Sequence, residues 1–77
     1  MIAAYILIQT EVGVLGRVAA QVAGLKGITS ADGVTGPYDV IARAEATDLD
    51  ELGTLVIRQI QAVPGVTRTL TCPVVHL

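Results

Sequence analysis

Side chains with chemistry to offer gather at one place in this 77-residue chain, Thr35-Gly36-Pro37-Tyr38-Asp39. Pro37 fixes its own φ and steers Gly36 away from the α region, so the pair reads as a turn. A turn needs Gly and Pro, but not a phenol and a carboxylate directly behind them. Tyr38-Asp39 is therefore the first candidate for binding. Catalytic and metal readings fare worse. Cys72 and His76 fall on one strand about 13 Å apart, whereas zinc ligands lie only ~2.0–2.3 Å from their ion. One chain cannot bring both to one metal. Cys72 is expected to be a small buried hydrophobe, and His76 a frayed terminal residue. His76 is the only histidine, so no Ser/Cys-His-carboxylate arrangement forms. Asp48, Asp50 and Glu51 stand where a helix begins, and capping and the helix dipole explain them. Gly13 and Gly16 lack the downstream Lys-Ser/Thr of a phosphate loop. The expectation is no catalytic residue, no metal and no cofactor.

The elements that must position the turn follow from periodicity. Residues 2–9 form a strand whose two faces, Ile2, Ala4, Ile6, Ile8 and Ala3, Tyr5, Leu7, are both apolar, as in a strand covered on both sides. A helix over residues 14–25 carries the stripe Leu15, Val18, Val22, Leu25 and stops at Gly27. Residues 28–34 are the weakest strand, because Asp32 and Gly33 are poor strand formers, and they are placed at a sheet edge. After the turn, Val40–Ala46 is a third strand. Thr47-Asp48 caps a second helix with the buried stripe Leu49, Leu52, Val56, Ile60, Val63. Pro64-Gly65 ends it, and residues 66–75 form the last strand. Leu25-Lys26-Gly27-Ile28-Thr29 echoes Val63-Pro64-Gly65-Val66-Thr67 at an offset of 65 − 27 = 38 residues. Each half is then a split β-α-β unit. The expected fold class is α+β, ferredoxin-like β-α-β-β-α-β, a four-stranded antiparallel sheet with two helices on one face.

Composition bounds the rest. The chain is 52% apolar yet holds no Phe or Trp and two Tyr. A monomer this small cannot hide so much aliphatic surface, which predicts self-association. The bare sheet face should meet the same face of a second copy, giving a dimeric α/β barrel. Net charge is −2 with no basic run, which argues against a nucleic-acid surface. No apolar run approaches the ~20 residues of a membrane span. The N-terminus lacks the positive region of a signal peptide, and a lone Cys suits a reducing cytosol, so a cytoplasmic location is expected.

The turn Thr35-Gly36-Pro37-Tyr38-Asp39-Val40, followed by Leu49 and Leu52, resembles the regulatory module of the leucine-responsive regulatory protein/AsnC family. The ending Pro64-Gly65-Val66-Thr67-Arg68-Thr69-Leu70-Thr71 fits that module as well, so the resemblance covers essentially the whole chain. It implies a domain that binds small effectors, usually amino acids, between dimers that associate into an octamer or similar ring. The first strand begins at Ile2, so a single stand-alone domain over residues 1–77 is expected, with no DNA-binding helix-turn-helix and with a full-length family regulator as a possible partner. An amino-acid ammonium needs an acceptor, and Asp39 is the nearest carboxylate to the turn. The ligand carboxylate needs donors, and backbone at Gly36 is open to close approach. Tyr38 lines the site or packs at an interface. Thr69 and Thr71 share a strand face and offer hydroxyls, or simply reflect β-propensity. Asp39 either meets the ligand or holds turn amides. A small cofactor-independent enzyme of the same sheet-paired architecture is disfavoured by one His and no Phe or Trp, and a pure assembly module without ligand is the remaining alternative.

Overall fold

The alternation along the first strand sets the whole arrangement. In β1 (Ile2–Thr10), Ala4, Ile6 and Ile8 are fully buried, while Tyr5 between them is 45% exposed. The structure, a computed structural model, describes residues 1–76. β1 is followed by α1 (Leu15–Ala23), β2 (Ile28–Gly33) and β3 (Val40–Ala46). A second helix, α2, runs over residues 49–61 and leads into β4 (Val66–Pro73). The sheet order is β2-β3-β1-β4 and every pairing is antiparallel. This is the ferredoxin-like β-α-β-β-α-β fold, with β2 at the edge as expected.

Both helices lie on the face that carries Ala4, Ile6 and Ile8. There these residues join Val40, Ala42, Ala44 and Ala46 of β3 beneath Val18 and Val22 of α1 and Leu52, Val56 and Ile60 of α2. The alanines of β3 let the helices approach closely, which is how a core without aromatic rings stays filled. The two halves end their helices alike. Gly27 and Gly65 adopt φ of 91° and 98°, a left-handed conformation that favours glycine. Each then offers its carbonyl across the molecule, Gly27 to the Glu45 amide and Gly65 to the Glu11 amide, both at 2.8 Å.

The second helix departs from a simple α-helix. Its start is capped as expected: Asp48 Oδ1 accepts from the Glu51 amide at 2.8 Å, and Glu51 Oε1 accepts from the Thr47 amide at 2.9 Å. After Leu49–Glu51 the helix widens to a π register over Leu52–Ile57, where the Arg58 amide donates to Gly53 five residues back, and returns to α over Arg58–Gln61. Leu52, Val56, Ile60 and Val63 are buried, but Leu49 is 66% exposed. The expected stripe thus loses its first member. Helical side chains lean toward the N-terminus, so Leu49 in the opening turn hangs beyond the sheet.

Cys72 is also corrected. It is exposed, because the β1–β4 register sets it opposite Tyr5 on the uncovered face. Among the described residues, no helix is long and apolar enough to cross a membrane.

Candidate functional site

The uncovered face of the sheet is ordered in rows. Across β4, β1 and β3, Leu70, Leu7 and Ile41 stand side by side, and the next row holds Cys72, Tyr5 and Arg43. Tyr5 and Leu70 are each 45% exposed. Arg43 pairs with Glu45 two residues along β3. That carboxylate, with Tyr5 as a smaller contributor, holds the guanidinium above its ordinary range. The apolar field therefore carries an ion pair along its β3 side.

At one end of this field the β2–β3 loop folds back over the strands. The Val34 amide donates to the Asp39 carbonyl at 2.9 Å, closing the loop, and the Asp39 amide donates to the Ile8 carbonyl at 2.9 Å. Two further bonds tie the loop to the end of β1. The Thr10 amide donates to Asp39 Oδ2 at 2.8 Å, and the Gln9 side-chain amide donates to the Pro37 carbonyl at 3.0 Å. Asp39 thus uses its amide, its carbonyl and its carboxylate to anchor the turn.

Beneath the anchored loop is a notch of about 150 Å³, walled by Leu7 and Ile41 from the strands and by residues 34–38 of the loop. Gly36 and Tyr38 line it. A Cβ placed on Gly36 would meet nothing within 4 Å, so its backbone is open to approach. The half-buried Asp39 lies next to the notch with its carboxylate engaged at Thr10.

Thr69 and Thr71 lie elsewhere. Their register partners are Ile8 and Ile6, which puts them on the helix side of the sheet. Thr69 Oγ1 accepts from the Gln61 side-chain amide at 3.3 Å and borders a separate depression of about 180 Å³ with Thr67 and Arg68. The two threonines share a face, as the sequence implied, but within one chain they do not meet Gly36, Tyr38 and Asp39. Sequence reasoning missed Leu7 and Ile41 as walls of the notch. Both were legible as members of their strand faces, but their juxtaposition depends on the β1–β3 register. Among the described residues, no group of three His, Cys, Asp or Glu is placed to hold a metal ion.

Residues 3–76 match the family described as the Lrp/AsnC ligand binding domain. An uncharacterized HTH-type transcriptional regulator of Pyrococcus furiosus, PF0250, is 32% identical over 55 residues, which make up 71% of this chain and 37% of that protein. The chain therefore spans well under half the length of that relative. The crystal structure of TTHA0845 from Thermus thermophilus superposes with a TM-score of 0.91 at 31% identity, covering 100% of this chain and 96% of that one. The L-Met complex of the transcriptional regulator NMB0573 from Neisseria meningitidis shares the fold, with a TM-score of 0.82 at 21% identity over 97% of this chain and 50% of its own.

Proposed function

The chain belongs to the Lrp/AsnC ligand-binding domain family, and on that premise we propose that it senses a small effector, an amino acid, and couples capture of that effector to assembly with copies of itself. The observation that carries this reading is the anchored turn over an apolar notch, set at the margin of an uncovered sheet face. That face, with Leu70, Leu7 and Ile41 in a row, is the surface a second copy covers, sheet on sheet. Dimers then join into a ring, an octamer or a similar closed assembly, with the effector held where dimers touch.

In this reading Gly36 presents backbone to the effector and Tyr38 contributes its ring. Asp39 acts first by holding the turn in shape and lends its carboxylate's charge to the ammonium end. Thr69 and Thr71 reach the same effector only from a neighbouring copy. The binding of an L-Met ligand by the Neisseria protein supports an amino acid as the class. The family is one of regulators rather than enzymes, and a full-length HTH-type regulator such as the Pyrococcus relative is the kind of protein with which this domain co-assembles.

The test is calorimetric titration with each of the twenty amino acids, with light scattering on the same samples. The expected result is heat with a subset of them, reduced tenfold or more in affinity by Tyr38→Ala while the assembly persists. Silence across the panel from an intact assembly overturns sensing and leaves assembly alone.

A further inference from the structure

We infer that two charges at opposite margins of the uncovered face, Asp32 on β2 and Arg68 on β4, select the alignment in which a second copy docks there, Asp32 pairing with the partner's Arg68. This rests on the assembly reading above and adds what chooses the partner's orientation. Asp32 is the register partner of Ile41, and Arg68 is that of Gln9, two residues before Leu70. Both therefore share the face that carries Leu70, Leu7 and Ile41. Both are exposed, and among the described residues neither joins an ion pair. Arg43 and Glu45 on the same face satisfy each other, and the Asp39 carboxylate is engaged by the Thr10 amide. Within one chain Asp32 and Arg68 stay apart, because β2 and β4 are the two edges of the sheet, three strand spacings or about 14 Å from each other.

Twofold symmetry turns this separation into complementarity. When one sheet covers its copy, the axis between them runs nearer to the strand direction or nearer to the perpendicular. An axis along the strands sets β2 of each copy over β4 of the other and β3 over β1, because the order is β2-β3-β1-β4. Ile41 then lies over the partner's Leu7, apolar on apolar. Asp32 and the partner's Arg68 meet at the rim, one step of two residues out of line, which an arginine side chain spans. An axis across the strands sets each strand over its own copy. β2 then meets β2, whose one charge is Asp32, and Arg68 meets a β4 that carries no acidic residue.

A rim ion pair returns little by itself, whereas like charges brought together at an interface are strongly disfavoured. The two residues thus act mainly by excluding the wrong alignment. Charges on edge strands also discourage strand addition, but that role requires no particular sign at either edge.

The experiment is a charge exchange, read by sedimentation of the whole chain at low salt. Asp32→Arg and Arg68→Asp each bring like charges together at both rims, and each is expected to weaken self-association at least tenfold, the loss shrinking as salt is raised. The double variant Asp32→Arg/Arg68→Asp exchanges the two charges and is expected to associate within threefold of the parent. Mixing the two single variants restores both contacts in a mixed pair, so the mixture should associate at least tenfold more tightly than either alone. Single variants that associate as the parent does overturn the inference while leaving sheet-on-sheet assembly intact. Single variants weakened but rescued neither by the exchange nor by mixing overturn it as well. A parent that remains a single subunit at every concentration overturns the assembly reading itself, and the inference with it.

Discussion

Asp39 illustrates what a single residue decides in this molecule. From the sequence its carboxylate had two possible uses, holding turn amides or receiving an ammonium group. The structure gives the first a definite partner, the Thr10 amide at 2.8 Å. That partner lies 29 residues away, and no local pattern in the sequence links the two. Gly36-Pro37 was legible as a turn because its cause is local: one fixed φ and one missing Cβ. The anchoring of that turn was not legible, because it depends on where β1 ends. A prediction follows from the chemistry of the bond. Asp39→Ala leaves a part-buried amide without its acceptor, which costs about 1–3 kcal/mol. Asp39→Asn keeps an oxygen in place and should lose no more than about half of that. Urea denaturation of the two variants measures the difference. Equal losses would mean that the charge, and not the hydrogen bond, holds the turn.

At the scale of elements, the repeat was readable where its cause is a backbone requirement. Gly27 and Gly65 recur at matching places, and both have the left-handed φ that ends a helix. Their surroundings differ. A Cβ on Gly65 would stand 2.9 Å from Val14 Cγ2 and from an Arg17 nitrogen, whereas on Gly27 the nearest atom is Val56 Cγ2 at 3.1 Å. Both alanine variants carry backbone strain, and Gly65→Ala adds overpacking, so losses of about 3 kcal/mol at Gly65 and about 2 kcal/mol at Gly27 are expected. Thermal melts of the two variants check that order. The second helix was readable as far as its cap and its stripe from Leu52 onward. Its π register was not, because the shift to hydrogen bonds reaching five residues back is settled by how the helix lies on the sheet, and the exposure of Leu49 was not, because it depends on where the sheet ends beneath the opening turn. Gly53 sits inside that register without a left-handed φ, and a Cβ there meets nothing within 4 Å. Gly53→Ala should therefore stabilise the protein by about 0.5–1 kcal/mol through the unfolded state. A loss instead, seen in the same melts, would identify the π register as something only glycine sustains here.

For the whole molecule, the governing fact is a sheet with helices on one side and an aliphatic row on the other. The sequence disclosed this as a first strand apolar on both faces. It could not disclose that Leu70, Leu7 and Ile41 line up, since that alignment requires two strand registers at once. If a copy of the chain supplies the missing layer, folding and association are linked, and the melting temperature must rise with protein concentration. Leu7 lies at the centre of the row and points away from the core formed under the helices, so Leu7→Lys removes the partner's landing place without opening a cavity beneath α1 or α2. The variant is expected to sediment as a folded single subunit, to melt at a temperature independent of concentration, and to melt lower than the parent. Because the notch shares Leu7 with this face, effector affinity should fall in the same variant. The linkage is reciprocal: an effector that binds the assembled form more tightly must also shift the parent toward assembly by the same factor. Sedimentation of the parent with and without leucine, over a range of protein concentrations, reads that factor directly. A parent that stays a single subunit at every concentration, with melting unchanged by Leu7→Lys, would leave the aliphatic row facing water and remove the physical basis for coupling capture to assembly.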